Sequence, residues 1–231
     1  MNIFEMTPSD RPRGPDCRCR FGIGPVRRFL FLACAAFLFA ACGKAKEAAL
    51  PPGSRVLALG DSLTAGVGVA PGEAWPSLLA SRTGWLVING GISGDTSEGA
   101  LQRLPSLLDE HNPALVLVTL GGNDMLRRVP REETIANLGQ IVTRIRSHGA
   151  APVLLATPKP SAMGAVFQNL SAADFYREVA DRHQVHLDGD AFSEVLSDPG
   201  LKGDPLHPNA EGHALLAEKI LDALKSIGYA R

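Results

Sequence analysis

Side chains that can together cleave an acyl bond occur in this chain in separate segments. Ser62 lies in "ALGDSLTAGVG" (58–68), among small residues and directly after the apolar run "RVLAL" (55–59). A serine in such a place has two ordinary fates. It can cap a helix, or it can be a nucleophile presented on a tight strand-to-helix turn. The stretch alone leaves both open. A nucleophilic serine needs a base to take its proton, a carboxylate to orient that base, and donors waiting where the oxyanion forms.

Six histidines are available as the base. His111 and His148 end helical segments, His183 and His186 flank a weak strand, and His213 falls inside the last helical pattern. His207 differs, because "GDPLHPN" (203–209) places it in a loop just before that helix. Asp204 precedes it by three residues, a spacing at which a tight turn lets a carboxylate accept from imidazole Nδ1–H while Nε2 faces outward. Pro205 and Pro208 stiffen the turn by fixing φ. The competing reading is that Asp204 and Asn209 only cap or lead into the C-terminal helix.

These residues must be positioned by the elements around them. Short apolar runs at 55–59, 85–88, 114–120, 152–157 and 185–188 read as strands. Amphipathic stretches at 72–83, 97–111, 131–149, 171–184 and 209–228 read as helices. In the third helix Ile135, Leu138, Ile141, Val142 and Ile145 repeat at spacings of three and four, which makes one apolar face. The run "ALVLVTL" is apolar nearly throughout, as a central parallel strand covered on both faces must be. Alternating strands and helices imply right-handed crossovers and one α/β domain: a three-layer sandwich around a doubly wound, five-stranded parallel sheet. In such sheets ligands bind beyond the carboxyl ends of the strands. The segments leaving those ends are "GDS", "NGGISGDTS", "GGND" and "TPKPSAMGAV", four polar, glycine-rich loops on one edge.

Taken together, the motifs "GDSL" (60–63), "SGDTS" (93–97), "GGND" (121–124) and "DPLHP" (204–208) resemble the SGNH, or GDSL, hydrolase family in content and order. The segments "AWP" (74–76), "ISGDTS" (92–97) and "LGGNDMLR" (120–127) are most similar to bacterial periplasmic acyl thioesterase, lysophospholipase and arylesterase members. The resemblance covers residues 55–231 and implies a flavodoxin-like sheet and a serine hydrolase of acyl esters or thioesters. It implies that Ser62 attacks, that His207 is base and then acid, and that Asp204 holds the imidazole. It implies further that the oxyanion is met by the backbone N–H of Ser62, the backbone N–H of Gly94 and the side-chain amide of Asn123. Elementary chemistry agrees: glycine allows close backbone approach, and an amide donates without adding charge. No G-x-S-x-G elbow occurs, which disfavours the α/β-hydrolase superfamily proper.

Other residues take plainer readings. Ser93 is structural, Asp61 and Asp124 hydrogen-bond loop backbone, and Trp75 packs the first helix rather than lining an acyl pocket. "GVGVAPG" (66–72) lacks both dinucleotide and P-loop spacing. No cofactor and no metal are expected. Within esterases the rival substrate is an O-acetylated envelope polysaccharide. From other classes come a metal phosphoesterase using Asp61, Asn123, Asp124, Asp204 and His207, and a non-catalytic ligand-binding lipoprotein.

Charge and cysteine content bound the partners. Residues 1–50 hold eight Lys/Arg against four Asp/Glu, leaving 15 against 20 in the remainder. A mildly acidic domain is unsuited to neutralising phosphates along nucleic acid. Cys17, Cys19, Cys34 and Cys42 all precede it, so it holds no disulfide and no thiolate site. Arg27 and Arg28 precede thirteen apolar residues, Phe29 to Ala41, in the pattern of a secretory signal. That run is shorter than the roughly 20 residues that span a bilayer. The ending "FAAC" resembles a bacterial lipobox, with Phe39 where leucine is usual, and implies lipidation of Cys42. Residues 1–41 are thus read as N-terminal extension and signal, 42–54 as a tether, and 55–231 as the hydrolase domain. The expected location is the periplasm or cell envelope, as a lipid-tethered or secreted protein. A monomer acting on a small acyl substrate is expected.

Overall fold

The computed structural model describes residues 47–160 and 169–231, so the signal and Cys42 lie outside the described residues. Five strands, β1 (Arg55–Gly60), β2 (Leu86–Gly91), β3 (Leu115–Thr119), β4 (Ala151–Leu155) and β5 (His186–Asp188), form one parallel sheet in the order β2-β1-β3-β4-β5. From β1 the chain steps outward to β2, crosses back to β3 and continues to β5. The winding therefore reverses between β1 and β3, where loops diverge and leave a crevice.

Alternate residues of each strand enter different cores. Leu57 and Leu59 of β1 and Val116 and Val118 of β3 pack under helices α3 (Ser97–His111), α5 (Arg131–Ser147) and α6 (Phe175–His183). Val56 and Ala58 of β1 and Leu115 and Leu117 of β3 pack under α2 (Trp75–Thr83), α7 (Ala191–Ser197) and α8 (Ala210–Ile227). A slip of one residue would exchange the two sets, so burial pins the register. Each fully buried leucine contributes about 2 kcal/mol to that preference. Pro105 inside α3 cannot donate to Leu101 C=O, and the Arg144 guanidinium donates to that carbonyl instead, at 3.3 Å.

The architecture is the one expected, with differences at element ends. The expected first helix divides into a 3₁₀ turn at Pro71–Glu73 and α2, which starts at the Trp75-Pro76 pair. The expected helix over 171–184 begins only at Phe175, because Ala172 pairs with Pro158 in an antiparallel bridge. Two short helices lie beside the crevice, α1 (Ser62–Ala65) and α4 (Gly122–Leu126). These, and the seven-residue α7, are too short for a period of 3.6 to register in sequence. Of the segment read as a tether over 42–54, residues from Glu47 onward are described, and they make contacts with the domain. Glu47 N–H donates to Ile227 C=O and Leu50 N–H to Tyr229 C=O, both at 2.9 Å. Trp85 Nε1–H donates to Leu50 C=O at 3.3 Å, and Leu50 packs against the α8-side core. Residues before Arg55 thus rest on the domain, with Leu50 supplying apolar surface that a free tether would leave in water.

Candidate active site

β1 delivers Ser62 to the carboxyl edge of the sheet. Asp61, 2% exposed, caps α1: its Oδ1 accepts from Leu63 N–H at 3.0 Å. Ser62 is thus the first residue of the helix, and the cap is its neighbour Asp61. At the end of β2 the chain must lie against α1. A Cβ on Gly91 would stand 2.2 Å from Ala65 N, so only glycine permits that approach.

The loop after β2 is built to hold Gly94. Gly94 has φ +77°, a left-handed conformation that suits glycine. Arg103 braces the loop from α3, donating from Nε to Asp95 at 2.8 Å and from its terminal nitrogen to Gly60 C=O at 3.1 Å. Arg127 donates to Gly94 C=O at 2.6 Å. Thr96 caps α3 through Gly99 N–H. Among the described residues neither Ser62 N–H nor Gly94 N–H has an intramolecular acceptor.

After β3, α4 carries Asn123 and Asp124. Asp124 is 1% exposed and accepts from Ser97 N–H at 2.9 Å and Ser97 Oγ–H at 2.5 Å. Asn137 donates to the same Ser97 Oγ at 3.1 Å. This buried network joins the loops after β2 and β3, and so fixes Gly94 relative to Asn123. Asn123 itself donates from Nδ2 to Asp61 Oδ2 at 3.1 Å. Burial pushes the Asp61 carboxyl up to about 6, against the Leu63 N–H and the nearby His207, which favour the anion.

The fourth contributor is the segment before α8. A Lys202–Pro208 bridge closes it, and Gly203 N–H donates to His207 C=O at 3.0 Å. Asp204 Oδ1 accepts from the N–H groups of Leu206 and His207, at 2.7 and 2.9 Å. Its Oδ2 lies 2.7 Å from His207 Nδ1. The imidazole, followed by the Leu206 N–H, holds the Asp204 carboxyl below the usual carboxylate range. An ionised carboxylate only accepts, so the imidazole proton sits on Nδ1 and Nε2 is left as an acceptor. His207 Nε2 is 3.0 Å from Ser62 Oγ. Capping of α8 falls to Asn209, which accepts from Gly212 N–H at 2.9 Å. Asp204 therefore belongs to the histidine and not to the helix.

Ser62, Gly94, Asn123 and His207 line one cavity of about 360 Å³. Its walls are largely apolar, with Leu126, Leu170, Leu196 and Leu206 among them. Sequence reasoning missed these leucines, which come from four distant segments. Leu206 carried a signal, since "GDPLHPN" sets an apolar residue in a polar loop directly beside the histidine, and the structure leaves it 53% exposed. The link from Asp61 to Asn123 was missed as well, because a contact between residues 62 apart leaves no local trace. Ser93 also lines the cavity. Trp75 is fully buried, donates from Nε1 to Leu63 C=O at 3.1 Å, and packs the core as read. The remaining histidines stand elsewhere. His111 and His148 lie at the ends of α3 and α5, and His186 pairs with Glu47 at 3.2 Å. His213 is buried and accepts on Nδ1 from Trp75 N–H at 3.3 Å. Both carboxylate oxygens of Asp61, and both of Asp124, accept from protein donors, so these two members of the set considered for a metal phosphoesterase are engaged in holding loops.

Residues 58–215 match the model of the GDSL-like lipase/acylhydrolase family. The chain belongs to that family. It is 37% identical over 184 residues to an arylesterase of Vibrio mimicus, covering 77% of this chain and 92% of that one. It is 36% identical over 177 residues to thioesterase 1/protease 1/lysophospholipase L1 of Escherichia coli, covering 74% of this chain and 84% of that one. Among solved structures, TesA superposes with a TM-score of 0.68 at 33% identity, covering 75% of this chain and 99% of that one. The psychrotrophic esterase EstA of Pseudoalteromonas, solved with monoethylphosphonate as inhibitor, gives 0.66 at 30% identity, covering 75% of this chain and 97% of that one. This family member is a hydrolase, and relatives of this similarity are esterases and thioesterases.

Proposed function

We propose that this chain hydrolyses acyl esters or thioesters through an acyl-Ser62 intermediate, with His207 and Asp204 completing a triad. The observation that carries the reading is the unbroken relay from Ser62 Oγ to His207 Nε2 at 3.0 Å and from His207 Nδ1 to Asp204 at 2.7 Å. Ser62 Oγ attacks the acyl carbon while its proton passes to Nε2. The oxyanion is met by the backbone N–H groups of Ser62 and Gly94 and the Asn123 amide. The imidazolium then protonates the leaving oxygen or sulfur, and the acyl–oxygen or acyl–sulfur bond breaks. Water, deprotonated by the now neutral His207, attacks the acyl-enzyme, and Ser62 leaves with the proton returned to it. Because the base acts as neutral imidazole, kcat/KM rises with pH across its titration.

A fluorophosphonate probe tests the assignment. It should add mass to Ser62, and Ser62→Ala should abolish the adduct. Labelling that persists in that variant overturns the reading. Activity should survive a strong chelator unchanged, whereas loss restored by a divalent cation favours the phosphoesterase alternative.

The leucine-lined wall supports an apolar acyl chain over acetyl. Each buried methylene is worth up to about 0.8 kcal/mol, so p-nitrophenyl octanoate should exceed the acetate in kcat/KM by roughly tenfold or more. Strict acetyl preference points instead to the polysaccharide ester. One chain supplies every group named here, so the site is complete without a second copy. Residues 27–42 support export and a lipid tether at Cys42, acting in the periplasm or cell envelope. Labelled fatty acid should enter the chain in a bacterial host, and Cys42→Ser should prevent it. No helix among the described residues is long and apolar enough to cross a membrane.

A further inference from the structure

We infer that Asp61 is a positioning residue for the oxyanion site, acting through the orientation of the Asn123 amide; this rests on the reading of Asn123 as an oxyanion donor. A primary amide has two chemically opposite ends of nearly equal shape, and a half-turn about its last bond exchanges donor for acceptor. Asn123 can assist an oxyanion only with its NH₂ end in place. In the flipped state a carbonyl oxygen would face the developing negative charge. Some contact must therefore decide the orientation, and the one present is Asp61 Oδ2 at 3.1 Å from Asn123 Nδ2.

The chemistry of that contact is asymmetric. A carboxylate only accepts, so it bonds the NH₂ end and repels the carbonyl end. It takes one of the two amide hydrogens. Among the described residues the Asn123 nitrogen has no second acceptor, and the residue lines the cavity beside Ser62 and Gly94. Asp61 is itself held rigidly, since its other oxygen accepts from Leu63 N–H at 3.0 Å and its side chain is buried. The residue that caps the nucleophile's helix thus also sets the neighbouring donor. Serine attack and oxyanion stabilisation are locked to one carboxylate. Burial is costly for that carboxylate, as its raised titration near 6 records, and a cap alone would be served as well by neutral asparagine.

Asp61→Asn isolates the claim. Asparagine keeps the shape and can still accept from Leu63 N–H, so α1 keeps its cap. Its own NH₂ then faces Asn123 and draws the Asn123 carbonyl inward, turning the donor away. At pH 8 we expect kcat to fall at least tenfold, with KM for a p-nitrophenyl ester changed less than threefold and the melting temperature equal or higher. Asn123→Ala should lower kcat on the order of 10²-fold. In the Asn123→Ala background, adding Asp61→Asn should cost less than threefold more, since its route of action is gone. A multiplicative loss in the double variant, or an unchanged kcat in Asp61→Asn alone, overturns the proposal and leaves Asn123 as a donor. An unchanged kcat in Asn123→Ala overturns the reading of Asn123 itself. Should Asp61→Asn fail to fold, Asp61→Ser serves in its place. Serine caps the helix but is too short to reach Asn123, and the same kcat loss and the same non-additivity are expected.

Discussion

The two sides of Ser62 are built in opposite ways. On one side stands the segment 202–209, which presents His207 and Asp204 at the surface. Side-chain exposure is 17% for His207 and 48% for Asp204, and the turn is held by one bridge and the hydrogen bonds of Asp204. On the other side stand Asp61, Asp124, Ser97 and Asn137, each under 9% exposed; hydrogen bonds join the last three across two loops and α5, and Asp61 is tied to them through Asn123, the neighbour of Asp124. Under the proposed mechanism the contrast follows from what each side must do. A proton carrier has to meet Ser62, leaving group and water in turn, so it needs access. Donors for an oxyanion stabilise it only if they need not reorganise when charge appears, so they belong on a buried frame. A second contrast lies within the carboxy-terminal region itself. His207 and His213 are six residues apart, yet one faces the cavity and the other is sealed in the core.

The contrast can be broken at its hinge. Ser62→Ala should lower kcat/KM by about 10⁴-fold or more, leaving only what binding and the oxyanion donors supply. Its melting temperature should stay within a few degrees, because among the described residues the Ser62 side chain bonds only His207. Next in size is Asp204→Asn on the exposed side. The imidazole would lose the acceptor that fixes its tautomer, and kcat should drop on the order of 10⁴-fold. Since the His207 imidazole and the Leu206 N–H hold Asp204 below the usual carboxylate range, the wild-type carboxylate stays ionised to lower pH than an ordinary aspartate.

The buried side should answer in stability. Asp124→Ala strands the N–H and Oγ of Ser97, and the cost is about 3 kcal/mol or more. That corresponds to a melting temperature lower by roughly 6–12 °C, measured by calorimetry. A loss of activity without loss of stability would contradict the division of labour drawn above.

The smallest effect concerns His213. Burial, with the charge of His207 second, pushes its imidazole down to about 4, whereas the unfolded chain titrates near 6.5. Between those values the unfolded state binds a proton that the folded state does not. Its stability contribution is therefore full above about pH 6.5 and declines as pH falls toward 4, by up to about 3 kcal/mol. Asp61 works in the opposite sense. Its folded value near 6 lies above 3.8, so its ionisation removes stability as pH rises through that interval. Denaturant melts of His213→Asn, which keeps an acceptor for Trp75 N–H, should show a flatter decline between pH 6.5 and 4 than the parent.

What sequence alone determined here is local in its physics. The short apolar run "RVLAL" and the 3.6-residue period of 131–149 place a strand and a helix, because a strand covered on both faces is apolar throughout and a helix covered on one face is apolar along one stripe. Turn chemistry in "GDPLHPN" predicts that Asp204 can meet His207, since three residues and two prolines leave the chain few alternatives. Gly94 and Asn123 were legible only as parts of ordered motifs. Tertiary structure decided everything that depends on distance between segments: the 3.0 Å from Ser62 to His207, the frame of Asp124 and Ser97, and the amide of Asn123 turned by Asp61. It also sealed His213 and gathered the leucines of the cavity. Side-chain contacts between residues 27 to 145 positions apart have no sequence period, because they are set by the packing of whole layers rather than by the chain's neighbours.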